Sequence, residues 1–438
     1  ASDSELDDEA VGWLQEYLQI DTVNPPGNES RAVDFYADIF KSEGIEFKSA
    51  ESAPGRGNIW ARIEGGDKPA LMLLQHTDVV PVNENYWTED AFSGEIKDGY
   101  IWGRGALDMK GTGISQLSTF LSLHRAGIKL NRDVIFLATA DEEAGGAYGA
   151  GWMVKNHPEL FEGVGLLINE GGSGYRSNGK VTFGVEVTQK VPVWLRLKAV
   201  DVPGHGSSPR RTSSVTRIVE ALNLIKNNPF TARIIPEVDK IFKSDSKSME
   251  GEMADKFYNI KESIEEEGFL DVLQEYSASR HALTRDTCSM TRMGGSSKIN
   301  VIPPEAWAEI DCRILPDRPA EEFIATFKDL VKGTGVEVEV IMAFTSAISP
   351  TDSDLFLAIE EVTKRLYPNS SVVPSVSTGF TDSHFTRDLG IASYGFNPLI
   401  AEGDEFSGVH GNDEKVNEKA FRKGVKDLHE IIKEVVYD

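Results

Sequence analysis

Six side chains able to bind a metal ion fall just past apolar runs or in polar loops of this 438-residue sequence. His76 follows Leu71-Met72-Leu73-Leu74-Gln75, and Asp108 closes the glycine-rich stretch Gly103-Arg104-Gly105-Ala106-Leu107-Asp108. Glu142 and Glu143 come just after the apolar residues 134–140, Glu170 follows Leu166-Leu167-Ile168-Asn169, and His410 sits in Gly408-Val409-His410-Gly411. Imidazole and carboxylate together suit zinc, with cobalt or manganese as alternatives. Two imidazoles and several carboxylates exceed one tetrahedral site and suit two ions sharing a bridging carboxylate. Asp78 stands two residues after His76, on the same side of an extended chain. There it can accept the second ring N–H, fixing the tautomer and raising the basicity of the ligand.

Each signal taken singly has an ordinary structural reading. A histidine at a strand end is most often structural, and an adjacent glutamate pair is usually surface charge. Glycines 103, 105, 111 and 113 do not make a dinucleotide-binding loop, because Asp108 and Lys110 occupy the turn that the strand–Gly-x-Gly-x-x-Gly–helix order requires. The joint pattern carries the weight: acids and histidines gather where an α/β sheet forms its site, beyond the carboxyl ends of the strands.

The elements that must position them are legible in outline. Leu6, Ala10, Trp13, Leu14, Tyr17 and Leu18 repeat at helical spacing, closed by Asn24-Pro25-Pro26-Gly27, and a second helix starts near Ser30 and ends at Gly44. Apolar runs of strand length follow at 58–63, 70–75, 133–140 and 165–169, with an amphipathic helix at about 113–126 between them. Continuous apolar strands alternating with helices predict a mostly parallel, buried sheet. After about Thr188 the pattern changes. Strands at 193–200, 287–293, 306–314 and 336–342 and helices at 213–226 and 320–331 read as an α+β unit inserted into the first. Residues 228–284 form a charged helical extension whose run Glu265-Glu266-Glu267 reads as a solvated face. The expected organisation is therefore a catalytic domain at 1–188 and 346–438 interrupted by an inserted domain at 189–345.

With 45 basic and 70 acidic residues the net charge is −25, which argues against nucleic acid or an anionic membrane as partner. No apolar run approaches a membrane span, and the sequence reads as a soluble globular protein. Its acidic opening lacks the basic and apolar features of a signal peptide. The compartment is left open: periplasmic or secreted if a leader was removed before Ala1, otherwise cytoplasmic. Cys288 and Cys312 cannot make a disulfide framework and read as two reduced, buried thiols on strands of one sheet.

Five ordered segments resemble the M20 family of metallopeptidases, which includes glutamate carboxypeptidases, aminoacylases and the acetylornithine and succinyl-diaminopimelate deacylases. They are Gln75-His76-Thr77-Asp78-Val79-Val80-Pro81, Trp102-Gly103-Arg104-Gly105-Ala106-Leu107-Asp108-Met109-Lys110-Gly111, Asp141-Glu142-Glu143, Asn169-Glu170-Gly171-Gly172 and Val409-His410-Gly411. The resemblance spans nearly the whole chain. The long stretch 228–284 resembles the larger members of the carboxypeptidase S and N-acyl-amino-acid hydrolase type.

This resemblance implies an α/β zinc-peptidase domain with an inserted α+β lid and dimerisation domain. It implies two Zn2+ ions, with Co2+ or Mn2+ possible. His76 and Glu170 would bind one ion, Glu143 and His410 the other, and Asp108 would bridge them. Glu142 would be the general base acting on a metal-bridging water; spacing alone leaves open which of the two glutamates has that role. His205, in Val202-Pro203-Gly204-His205-Gly206-Ser207-Ser208, resembles the family's oxyanion-stabilising histidine, which usually acts across a dimer. Asn300 and Arg313 resemble residues that hold the substrate carboxylate, with Gly379 and Thr381-Asp382-Ser383 in a loop beside them. The sequence departs there, since His384 stands where relatives often carry a basic residue.

The expected function is hydrolysis of a peptide or N-acyl amino acid beside a free carboxylate, in a homodimer. A small-metabolite deacylase is the alternative. An aminopeptidase would leave Arg313 and the His205 loop unexplained, and retention of Glu142 beside a full ligand set argues against a metal-dependent binding protein without catalysis.

Overall fold

The computed structural model describes residues 3–401 and 408–438. The chain divides into two compact units, one made of Ala1–Val187, Ser349–Ser375 and Thr381–Asp438, the other of Thr188–Ile348 and Val376–Phe380.

The first unit is built on a sheet of ten strands among the described residues. At its centre Arg132–Thr139, Lys68–His76, Val164–Asn169 and Ala392–Gly395 lie side by side and parallel. Antiparallel pairs extend it, Gly57–Ile63 on one side and Lys180–Gln189 on the other. Alternate residues of the central strands serve different cores. Leu71, Leu73, Val134, Phe136 and Ala138 pack with helical residues such as Leu14, Tyr36, Phe120 and Leu428, whereas Met72, Leu74, Ile135 and Leu137 pack with Met153, Leu160 and Phe161. Both faces are covered, which is why these strands are continuously apolar rather than alternating. Each fully buried Leu, Ile or Phe contributes about 1.5–3 kcal/mol of transfer free energy.

Three features differ from the sequence reading or were absent from it. The helix read as amphipathic at about 113–126 is Lys110–Ala126, and nearly all of it is buried. Two of its long polar side chains find partners inside: Gln116 donates to the Leu74 carbonyl, and Lys110 to those of Tyr17 and Ile20. A small antiparallel sheet joins Ile96–Lys97, Tyr100–Trp102 and the distant Lys415–Asn417. The two cysteines are not free thiols. Antiparallel register sets Cys288 directly opposite Cys312, with Cα atoms 4.0 Å apart, and the sulfurs are bonded. Facing cross-strand pairs reach such close approach, but a separation of 24 residues says nothing of register.

The second unit has a four-stranded antiparallel sheet in the order Thr287–Gly294, Glu305–Ile314, Val191–Val200, Glu337–Ala343. Burial alternates strictly along Glu305–Ile314. The buried face packs on helices Ser214–Asn227 and Ala320–Leu330 through Ile218, Ala221, Ile225, Phe323 and Phe327. Between residues 228 and 284 lie helices such as Pro236–Ser246, Glu252–Tyr258 and Phe269–Tyr276, with Val238, Phe242, Phe257 and Leu273 buried. Among the described residues, no helix is long and apolar enough to cross a membrane.

Candidate metal centre

Three adjacent parallel strands deliver their carboxyl ends to one place. His76 ends Lys68–His76, Glu142 and Glu143 open a single 3-10 turn after Arg132–Thr139, and Glu170 follows Val164–Asn169. Asp108 arrives on the loop that starts helix Lys110–Ala126. His410 comes from far along the chain. The pairing of Lys415 with Trp102 holds its segment against the Asp108 loop.

The six side chains meet. His76 Nε2 lies 3.1 Å from Asp108 Oδ1, 3.0 Å from Glu170 Oε1 and 3.4 Å from Glu142 Oε2. His410 Nε2 lies 2.7 Å from Asp108 Oδ2 and 3.3 Å from Glu143 Oε2. Asp108 thus turns one oxygen to each histidine. Three ligand groupings, His76/Asp108/Glu170, Asp108/Glu143/His410 and His76/Glu142/Glu143, each hold their ligand atoms within 4.8 Å of one another.

The electrostatics are those of crowded carboxylates. Burial pushes Glu170 up to about 8, against the pull of His76. Burial, with the charges of Glu170, Glu143 and Asp382, holds Glu142 well above the usual carboxylate range. Burial would also raise Asp108, but hydrogen bonds from His410 and His76 outweigh it and hold it well below. Hydrogen bonds to Asp108 and Glu143 raise His410 to about 10. Burial opposes a charge on His76, yet Glu170, Glu142 and Asp108 together lift its pKa well above normal. Such a donor set calls for positive charge among the oxygens. Glu143 Oε1 is moreover buried with no hydrogen-bond partner among the described residues, as a ligand atom would be. The residues therefore fit divalent metal of the type that takes mixed nitrogen and oxygen ligands.

A polar shell fixes these groups. Asp78 approaches His76 Nδ1 through its backbone carbonyl at 3.0 Å and its Oδ1 at 3.2 Å. The same carboxylate accepts the backbone N–H groups of Glu142 and Glu143. Asn24 donates to both Asp78 and Asp141, and Arg56 joins Asp141 to the buried Glu29. Asp382 is also buried there, raised to about 7 chiefly by that burial. Neither Asn24 nor Arg56 stood out in the sequence. A polar residue in a Pro-rich loop carries no mark of what it reaches.

The remaining candidates belong to the second unit. His205 and Asn300 are brought together by the short ribbon pairing Gly204–His205 with Val301–Ile302, and Gly206 N–H donates to the Asn300 carbonyl. Ser207 N–H donates to His205 Nδ1 at 3.1 Å, so the proton of the neutral ring resides on Nε2. Arg313 forms a two-point pair with Asp311 and lies over the Phe380 ring. Asp311 also accepts from the Trp194 indole. A Cβ at Gly379, next to Phe380, would meet only Ser377 Oγ among the described residues, at 4.0 Å. His384, in the first unit, is pushed down to about 3 by burial and is neutral, so it supplies no charge there.

The family model for peptidase family M20/M25/M40 matches residues 72–434. The chain belongs to that family. Among curated relatives, an N-fatty-acyl-amino acid synthase/hydrolase of Mus musculus is 29% identical over 385 residues, covering 84% of this chain and 75% of its own. Human aminoacylase-1 is 26% identical over 432 residues, covering 95% and 92%. Among solved structures, an M20 family metallo-carboxypeptidase from Sulfolobus solfataricus superposes with a TM-score of 0.72 at 20% identity, covering 98% of this chain and 99% of the other. This M20 protein is thus an enzyme of the metallopeptidase and amidohydrolase kind, from a metal-dependent family. Its fold is the mixed α/β architecture of these neighbours.

Proposed function

We propose that this M20 enzyme is a two-metal hydrolase that cleaves the amide bond of a peptide or N-acyl amino acid beside a free carboxylate. The observation that carries the reading is Asp108, whose two oxygens face His76 and His410 separately. In this reading His76, Glu170 and Asp108 hold one divalent ion, and Asp108, Glu143 and His410 the other, with zinc favoured by the donor types. Bound there, the ions would polarise the scissile carbonyl and acidify water at neutral pH.

The chain's own residues perform the rest. Glu142 stands beside the ligand cluster with its charge disfavoured by burial, which suits a carboxylate that must take a proton from water and return it to the leaving nitrogen. Asp78 aims Glu142 and Glu143 through their backbone N–H groups. His205, with its proton on Nε2, is a donor for the oxyanion of the tetrahedral intermediate. Asn300 and Arg313 bind the substrate carboxylate, and Gly379 belongs to the same substrate-binding group. The active form is a homodimer in which His205 serves the partner's site.

The deciding experiment is a hydrolysis screen of dipeptides and N-acyl amino acids with free and amidated carboxyl termini, run beside metal analysis. The expected result is two zinc ions per chain and turnover confined to free carboxylates. Equal cleavage of both forms refutes the carboxylate requirement, and full activity without metal refutes the mechanism.

A further inference from the structure

Two charged residues with no place in this chemistry lie buried beneath the ligand loops. Arg104 is 2% exposed. Its Nη1 donates to the Gly411 carbonyl at 2.7 Å and to Glu414 Oε1 at 3.0 Å, and its Nη2 donates to the Pro81 carbonyl at 3.1 Å. The guanidinium lies over the Trp87 ring, 5.1 Å from its centre. Glu414 is fully buried, and its Oε2 accepts three backbone N–H groups, from Gly105, Leu107 and Asp108, at 3.0, 2.9 and 3.1 Å.

These bonds do not follow one element. Pro81 lies on the loop after His76, Gly105–Asp108 on the loop carrying the shared carboxylate, and Gly411 and Glu414 on the segment carrying His410. One ion pair therefore ties together three loops that reach the site from distant parts of the sequence. A buried pair is a poor source of stability, since desolvating both charges costs several kcal/mol per ion. What it supplies is geometry, because each bond has a fixed length and direction. Asp108 must keep one oxygen toward each histidine, and Glu414 holds its backbone N–H directly.

We propose that Arg104 and Glu414 are positioning residues for the metal pair, setting the separation of the loop that follows His76 and the segments that carry Asp108 and His410. The inference rests on the two-metal reading above. Outer partners of metal ligands typically alter affinity by about 10- to 100-fold when removed.

The test uses the full chain, stripped of metal and titrated with zinc against a chromogenic chelator, and separately loaded with cobalt for its visible spectrum. Wild type is expected to take up two zinc ions. Glu414→Gln and Arg104→Lys should weaken at least one of the two steps by about 10- to 100-fold. They should also alter the cobalt bands and lower kcat more than KM. Because a single change strands a buried charge, the double variant Arg104→Met/Glu414→Met provides a chain without that liability. It should show the same weakened binding in a folded protein. Wild-type zinc affinities and cobalt bands in that folded double variant overturn the proposal, as does a lowered Tm with unchanged metal binding in the single variants. A wild-type chain holding fewer than two zinc ions overturns the two-metal reading itself, before any variant is compared.

Discussion

The backbone N–H of Glu142 donates to Asp78 Oδ1 at 3.1 Å. Asp78 therefore does more than orient His76: it also takes the N–H of Glu143 at 3.0 Å and sets the start of the turn on which both glutamates stand. Asp141, just before them, adopts φ 69°, a left-handed conformation that turns the chain there. Two neighbouring glutamates consequently point to different tasks. Glu143 Oε2 faces His410, while Glu142 Oε2 faces His76 at 3.4 Å.

From that division, Glu142→Gln is expected to leave zinc content nearly intact and to lower kcat by about 10²–10⁴-fold, because it deletes a proton acceptor but no ligand. Glu143→Gln should instead lose metal. Atomic absorption on both purified variants, with kcat measured beside it, checks the pair. The opposite pattern would mean that the two roles are exchanged.

Arg313 is engaged by Asp311 on its Nε and Nη2. In the proposed role, a substrate carboxylate would share or displace that partner. Arg313→Ala should cost about 1.5–3 kcal/mol of binding. That corresponds to KM about 10- to 150-fold higher for free-carboxylate substrates, with little change for amidated ones. Asp311→Asn should move KM in the opposite direction by freeing the guanidinium. If Arg313→Ala depresses turnover of both substrate types equally, the arginine is structural.

His281, at the end of the short helix Ala278–His281, is buried in the helical extension. Burial, reinforced by Arg285 and Lys190 and opposed by Asp271, lowers it to about 4. In the unfolded chain it titrates near about 6.5. Between these values the unfolded state binds the proton and the folded state does not. Stability is thus fully present above about 6.5 and falls as pH drops toward about 4, by at most about 1.4 kcal/mol per pH unit. Thermal unfolding between pH 4 and 7 should show a flatter profile for His281→Gln. Parallel profiles would remove His281 as the cause.

The parallel sheet was legible because strands covered on both faces must be almost continuously apolar, as 70–74 and 134–138 are. Strand ends then mark a site, which is how His76, Glu142, Glu143 and Glu170 stood out. Asp108 and His410 gained meaning from motif resemblance, not periodicity. The three-residue strands that bring the His410 segment to the Asp108 loop are too short to leave a pattern. Glu414, within Asn412-Asp413-Glu414-Lys415, looks like surface charge, yet it is fully buried. The cysteine bridge was missed because register, not composition, decides which residues of two strands face each other.

His205 remains the group whose proposed role depends on a second copy of the chain. It lies on an exposed two-residue strand, and the Ser207 N–H bond leaves its Nε2–H free to point outward as a donor. A symmetric dimer is the commonest homo-oligomer, and it would place two such histidines in equivalent positions. Catalysis in trans has a specific consequence. His205→Ala and Glu142→Gln homodimers are each expected to be nearly inactive. Mixed under conditions of subunit exchange, they form hybrids in which one site combines an intact Glu142 from one protomer with an intact His205 from its partner. An equimolar mixture puts about half of all dimers in the hybrid form, each with one working site of two, so about a quarter of wild-type activity should return. Native mass spectrometry establishes that exchange occurred, and turnover is read on the same mixture. Proven exchange without recovered activity, or a monomer fully active at assay concentration, would place His205 in the site of its own chain or outside catalysis.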